Sequence, residues 1–297
     1  MKQFFKTMFA SVLGVLIATG VIILGGLVLL MGIAASGGSG STYTPKDNSV
    51  LKLHLKGSLS DTAVENPFGG LMGEEEESLA VQDVVKAIRT AKENGQIKGI
   101  YLDAVGMSGG FAGFEAIRRE LEDFKESGKF IVAYSDMYTQ GCYYLASVAD
   151  SVFVNPQGGV GLVGLASQGL FIKDLAAKLG IEYYIFKVGT YKSAVEPYFM
   201  DKFSDANREQ LTSFLGSIWG NMTGAICESR HIQPDVMERF LNEGIAMEDA
   251  QALVDYKLVD ALRYRKEAED CVKRMAGQDL KEKMVTASVK NLLAVKQ

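Results

Sequence analysis

Residues 8–35 read MFASVLGVLIATGVIILGGLVLLMGIAA, and no charged residue lies between Thr7 and Pro45. About 20 apolar residues cross a bilayer as a helix. The apolar stretch of a cleaved signal peptide runs only about 7–15 residues. The pattern therefore predicts an uncleaved transmembrane anchor over 7–36. Lys2 and Lys6 precede it and are expected to keep residues 1–6 in the cytoplasm. The GGSGST stretch within 37–45 reads as a flexible linker. Everything from 46 onward is then expected on the far side of the membrane.

Beyond the linker the apolar positions recur with strand and helix periods in turn. SVLKLHLKG (49–57) alternates and reads as a strand. SLAVQDVVKAIRTAKENG (78–95) has helical spacing, with Ser78 placed as N-cap and Gly95 as C-cap. IKGIYLDA (97–104) reads as a buried strand, 108–128 as a glycine turn and helix, and 129–136 as another strand. A helix is predicted over 138–150, a short strand over 151–156, and a helix over 170–180. IEYYIFKVG (181–189) reads as a further buried strand, and 204–232 as a long helix. Shorter helices follow at 235–242 and 247–256. The acidic, glycine-rich stretch 65–78 reads as a loop, and 276–297 as a polar linker helix leading away from the core. Strands alternating with helices predict an α/β domain over 46–275 with a mostly parallel sheet.

Composition narrows the chemistry. The chain has 297 residues, 47% hydrophobic and 23% charged, which are ordinary globular proportions. A net charge of −5 argues against a nucleic-acid partner. Three cysteines, Cys142, Cys227 and Cys271, are too widely spaced for a zinc knuckle. His54 and His231 are the only histidines. A Ser-His-Asp triad or a histidine-rich metal site would have to be built on one of them, and neither a metal nor an organic cofactor is expected.

Three places carry candidate chemistry. Ser108, Gly109 and Gly110 follow a strand and open a helix. Such a turn can aim backbone N–H groups at an oxyanion, or simply connect the two elements. Lys192, in GTYKSAVEP (189–197), follows an apolar stretch. Desolvation disfavours an ammonium, so a lysine in an apolar cleft can serve as general base for a serine hydroxyl; the bland alternative is a surface lysine. Cys142 has no evident histidine partner and reads better as a small buried thiol.

VGTYKSAVEPYFMD (188–201) resembles the lysine motif of the SppA (protease IV) family of signal peptide peptidases. TQGCYYLASVADSVFVNPQGGVGLVG (139–164) and AMEDAQALVDYKLVDAL (246–262) resemble further family segments, in the family's order. The resemblance implies a crotonase-like (ClpP-type) α/β repeat over about 46–275. It implies a serine nucleophile activated by a lysine, with Lys192 as that base and Ser193 as its orienting neighbour. It further implies signal peptides or other apolar peptides as substrates, self-association into a ring or bowl, and an inner-membrane location with the catalytic part outside the cytoplasm.

One departure matters. Aligned through Tyr143 and Tyr144, the family's nucleophile position holds Gln140, followed by Gly141 and Cys142. Glutamine is no nucleophile, and Cys142 is displaced by two positions. In the family's long form, two repeats share one polypeptide; the first supplies the lysine and the second the serine and oxyanion glycines. This chain resembles the first repeat. It is expected to be part of a doubled protein, to work with a separate serine-bearing chain, or to have lost activity and serve as a membrane-anchored peptide-binding scaffold. In the doubled form Gly109 and Gly110 become structural remnants. An acyl-CoA enzyme of crotonase type is the remaining rival, opposed by the anchor.

Overall fold

The computed structural model describes residues 2–37, 42–62, 78–244 and 250–295, with side chains of 30–37 excepted. The predicted acidic loop lies almost wholly outside these residues, as do most of the predicted linker and the start of the 247–256 helix. Two compact units emerge, split near residue 43.

The first unit is the helix α1 (Lys2–Gly37). From Lys2 to Leu29 every side chain is exposed, and the 28 residues are long and apolar enough to cross a membrane. At about 1.5 Å rise per residue they span the hydrocarbon core with some tilt. A helix apolar all round and exposed from Lys2 to Leu29 fits a single-pass membrane anchor.

The second unit is an α/β domain. Its elements begin with β1 (Ser49–Ser60), β2 (Ser78–Ala80), α2 (Val81–Glu93), β3 (Ile97–Ser108), α3 (Phe111–Lys125), β4 (Phe130–Ser135) and β5 (Tyr138–Thr139). Then come α4 (Gln140–Ala146), β6 (Ser151–Val154), β7 (Val160–Gly161), α5 (Lys173–Lys178), α6 (Glu196–Phe199) and α7 (Asp205–Arg230). The last are α8 (Pro234–Glu243), α9 (Ala250–Asp255), β8 (Ala261–Leu262), α10 (Arg265–Ala276), β9 (Thr286–Ala287) and α11 (Val289–Leu293).

The main sheet runs β2-β1-β3-β4-β6-β8, with β9 also on β1; every pairing is parallel. β5 and β7 pair separately. Parallel strands buried on both faces read as continuous apolar runs rather than alternating ones. β3 shows this, being buried at every position from Gly99 to Ala104. One face packs Val50, Tyr101, Val132, Tyr134 and Phe153 against Ala268, Val272 and Ala276 of α10. This parallel, helix-covered sheet agrees with the crotonase-like expectation.

Arg118 of α3 locks three helices together. Its buried guanidinium donates to Tyr144 O and to Ser147 Oγ (2.8 Å) at the end of α4. It also donates to Ala225 O (2.9 Å) and Ser229 Oγ (2.6 Å) of α7. The group stacks 4.6 Å from the Tyr144 ring. This lock fixes α7, whose first turn carries the candidate site.

Three expectations are corrected. Ser78 is not an N-cap: it pairs with Ser58 as the first residue of β2, and α2 starts at Val81 behind Ala80. The C-cap is Asn94 rather than Gly95. Residues 181–189 form no strand and have no strand partner among the described residues. Tyr184, Phe186 and Val188 are 82%, 94% and 90% exposed, so the segment keeps strand-like alternation but shows its apolar row to solvent. Finally, 276–295 does not lead away from the core. Val50 and Leu51 of β1 pair with Thr286 and Ala287, and α11 packs on α2. Gln278 donates to Asn48 O (2.6 Å), tying this segment to the start of β1.

Candidate active site

The lysine turn is built between the uncovered apolar segment and α7. Ser204 N-caps α7, accepting from Asn207 N at 3.1 Å. Just upstream, Pro197 occupies the first turn of α6, where its missing N–H costs nothing. Glu196 N donates to Ser193 O (3.0 Å), closing a turn over 193–196 directly after Lys192.

Lys192 itself is exposed, and Ser193 is half-buried. They line an open cleft of about 550 Å³ with Phe186, Val188, Tyr191 and Val195. Lys187 lines the cleft too, so its walls are mostly apolar with a second cation among them, and Lys192 stands exposed. On the outer side the Tyr191 hydroxyl donates to Glu209 Oε2 of α7 (3.2 Å).

Glu196 was not singled out by the sequence reasoning. It is fully buried. Its carboxylate accepts from Ser204 Oγ (2.5 Å), Ser204 N (3.2 Å) and Asn207 Nδ2 (2.9 Å), with Lys187 Nζ at 3.8 Å. Burial pushes the carboxyl pKa up, but these hydrogen bonds and the lysine outweigh it and hold it below the ordinary value. The one sequence signal was an acidic residue within a lysine motif, which by itself says nothing about direction.

Gln140 opens α4, and its side chain is held in place. Its Oε1 accepts from both Val163 N and Gly164 N (3.2 Å each), while Nε2 donates to Gly164 O at 3.4 Å. Gly164 sits at φ +90°, a backbone region that favours glycine. The glycine-rich 157–169 stretch thus turns two successive N–H groups onto this side chain. Gln140 is not among the described lining residues of the Lys192 cleft.

The remaining candidates resolve as follows. Gly110 N-caps α3 and its carbonyl accepts from Gly113 N and Phe114 N. A Cβ on Gly109 would lie 2.7 Å from Leu59 Cβ, so close packing alone requires glycine there. Cys142 is fully buried, and burial raises its thiol pKa despite hydrogen bonds from Thr139 and nearby backbone. His231 ends α7 in the left-handed conformation (φ 53°). His54 Nδ1 lies 2.9 Å from Asp103 Oδ2. Asp103 is buried at 1% exposure and also meets Lys52 (2.8 Å) and Arg265 (2.5 Å), so the pair belongs to a charge network on the sheet. Among the described residues no three His, Cys, Asp or Glu side chains cluster as a metal site requires.

Known proteins give this arrangement a context. Protease 4 of Salmonella typhi is 35% identical over 264 residues, covering 83% of this chain and 42% of its own length. Protease 4 of Haemophilus influenzae is 36% identical over 208 residues, 68% of this chain and 34% of its own length. The matched region thus spans less than half of either relative. A solved enoyl-CoA hydratase/isomerase family protein from Silicibacter pomeroyi superposes with a TM-score of 0.39 at 13% identity, over 67% of this chain and 73% of that one; the likeness is too slight to carry an argument. The sequence pattern of peptidase family S49 matches residues 123–279, a stretch that contains Gln140, Lys192 and Glu196. The chain belongs to peptidase family S49.

Proposed function

We propose that this chain is the lysine-bearing half of a membrane-anchored Ser-Lys peptidase. Lys192 is the general base, and a second repeat of the same fold supplies the serine. In the reaction the serine Oγ attacks the peptide carbonyl carbon while neutral Lys192 takes the hydroxyl proton. The lysine then returns that proton to the leaving amine, giving an acyl-enzyme. Water, deprotonated by the same lysine, hydrolyses the ester and restores the serine. Ser193 orients the Lys192 amine. Substrates are apolar peptides, released signal peptides among them, and the catalytic part faces outside the cytoplasm.

The observation that carries this reading is the uncovered apolar row Tyr184, Phe186 and Val188, beside an exposed Lys192. A lysine base needs its charged form disfavoured, which requires removal from water. A second repeat seated on this row would both bury it and desolvate Lys192. Phe186, Val188 and Tyr191 of this segment line one cleft with Lys192, so a partner covering them would cover the lysine as well. Self-association of such pairs into a larger assembly follows the same logic.

A second reading is favoured by Gln140. Its amide fills both N–H groups of Val163 and Gly164, which leaves this repeat with a closed position where the family has its serine. A peptide-binding scaffold without chemistry would look the same here. The test is hydrolysis of an apolar peptide ester by protein extracted from its own membranes, with intact mass measured in parallel. We expect activity that Lys192→Ala abolishes, and a serine-bearing repeat in the same polypeptide or co-purifying with it. Activity indifferent to Lys192→Ala refutes Lys192 as the base, and no activity in native protein supports the scaffold.

A further inference from the structure

We propose that Glu196 is the positioning residue of the Lys192 turn, an inference that rests on the Ser-Lys reading above. A buried carboxylate is costly unless its oxygens are filled. Here Ser204 Oγ, Ser204 N and Asn207 Nδ2 fill them, with Lys187 close by. Capping α7 does not call for this group, because the Ser204 hydroxyl already accepts from Asn207 N. What the carboxylate does is join the chain on both sides of Lys192 to one rigid helix. Lys187, upstream of Lys192, lies 3.8 Å from the carboxylate, and Glu196, downstream of it, is tied by that carboxylate to Ser204 and Asn207 at the start of α7; the bond from Glu196 N to Ser193 O is a backbone bond that does not use the carboxylate.

That joint matters because Lys192 is exposed. Its side chain has four rotatable bonds and lies exposed in an open cleft. Its reach is therefore set by where its Cα is held. A misplacement of about 1 Å at a reacting group costs on the order of 100-fold in rate. The outer tie, from the Tyr191 hydroxyl to Glu209, is exposed and holds the turn far less firmly. Glu196 touches neither substrate nor the reacting atoms; it acts through the backbone of 192–196.

The test uses native protein with its serine-bearing repeat and three variants. In Glu196→Gln one carboxylate oxygen becomes an NH₂, so either the Ser204 hydroxyl must turn to accept from it or the donors Asn207 Nδ2 and Ser204 N face it, and the charge beside Lys187 is lost. In Glu196→Gln/Asn207→Asp the donor and acceptor are exchanged, restoring a carboxylate-to-amide bond. Lys192→Ala is the reference. We expect Glu196→Gln to lower kcat about 10- to 100-fold with KM changed less than about twofold, as loss of positioning requires. Amide exchange across 189–196 should rise about tenfold or more while β3 and β4 are unchanged. The exchanged pair should recover most of both. Exchange across 189–196 unaltered in Glu196→Gln overturns the proposal. So does a kcat that stays at the native value while Lys192→Ala abolishes it, or a kcat and KM that fall together without recovery in the exchanged pair. If Lys192→Ala leaves activity intact, the Ser-Lys reading itself fails, and the exchange measurement still decides whether Glu196 holds the turn.

Discussion

Removing Arg118 tests whether one buried guanidinium holds α7 in register. It makes four hydrogen bonds, to Tyr144 O, Ser147 Oγ, Ala225 O and Ser229 Oγ. Hydrogen bonds to a charged group contribute about 1.5–3 kcal/mol each, so a simple sum overshoots. Two facts reduce it. Burial disfavours the charged guanidinium and lowers its pKa, so part of the gain offsets desolvation. Tyr144 O also keeps a second donor, Ser147 Oγ at 3.0 Å. Arg118→Ala is therefore expected to cost about 3–5 kcal/mol, the range for removing one partner of a buried charged network. At about 2–4 °C per kcal/mol for a domain of this size, Tm should fall by about 6–20 °C. Glu122 provides the control. Its Oε1 lies 3.0 Å from Arg118 Nε, yet that nitrogen makes no well-aligned hydrogen bond and Glu122 is half exposed. The contact is ionic and weak, so Glu122→Gln should change stability by less than about 1 kcal/mol. Thermal unfolding of the full chain in detergent, with amide exchange resolved by segment, reads both. A Tm shift under about 2 °C for Arg118→Ala refutes the reasoning. So does a larger shift in which α7 exchanges no faster than β3.

Two further outcomes are expected. Burial alone would raise the Asp103 carboxyl pKa, but Lys52, Arg265 and His54 hold it below its ordinary value of 3.8. A carboxyl depressed in the folded state adds stability that is present above the unfolded value and lost as pH falls through the folded one. Asp103→Asn should thus cost about 2–3 kcal/mol at pH 7, discounted because its cations are about one-third exposed. Acid unfolding curves should show the gap narrowing below about pH 4, and a gap constant to pH 2 would sink the assignment. Cys142, buried with a raised thiol pKa, should react with iodoacetamide at pH 8 at least about tenfold more slowly than the half-buried Cys271. Equal rates in folded protein would contradict the burial.

Much of the fold was legible because burial leaves a local trace. IKGIYLDA and KFIVAYSD read as strands since both faces of β3 and β4 are covered, and the helical spacing from 204 onward corresponds to α7. The failures share a cause: pattern records what a segment is suited to, not where its partner lies. IEYYIFKVG carries a strand-forming row that finds no strand neighbour among the described residues. β9 escaped because two residues, Thr286 and Ala287, are too few to show a period. At the site, Lys192, Ser193 and the glutamine at 140 were readable from motif position. The bonds of Gln140 to Val163 and Gly164, and of Glu196 to Ser204 and Asn207, were not. They depend on side chains meeting across a loop and on a rotamer that sequence leaves open.

The pairing of β1 with β9 has a consequence for how the molecule is made. Gln278 reaches Asn48 across 230 positions, and Val50 and Leu51 meet Thr286 and Ala287 just beyond. Ribosomes add about 5–20 residues per second. Roughly 10–50 s therefore separate the emergence of the first strand from that of the segment that completes its outer edge. Through that interval the Val50–Leu51 edge of β1 stands open to mispairing with neighbouring nascent chains. Thr286 and Ala287 thus complete an edge rather than the sheet: β2, β3, β4 and β6 can already be paired, and the start of β1 waits for its last neighbour.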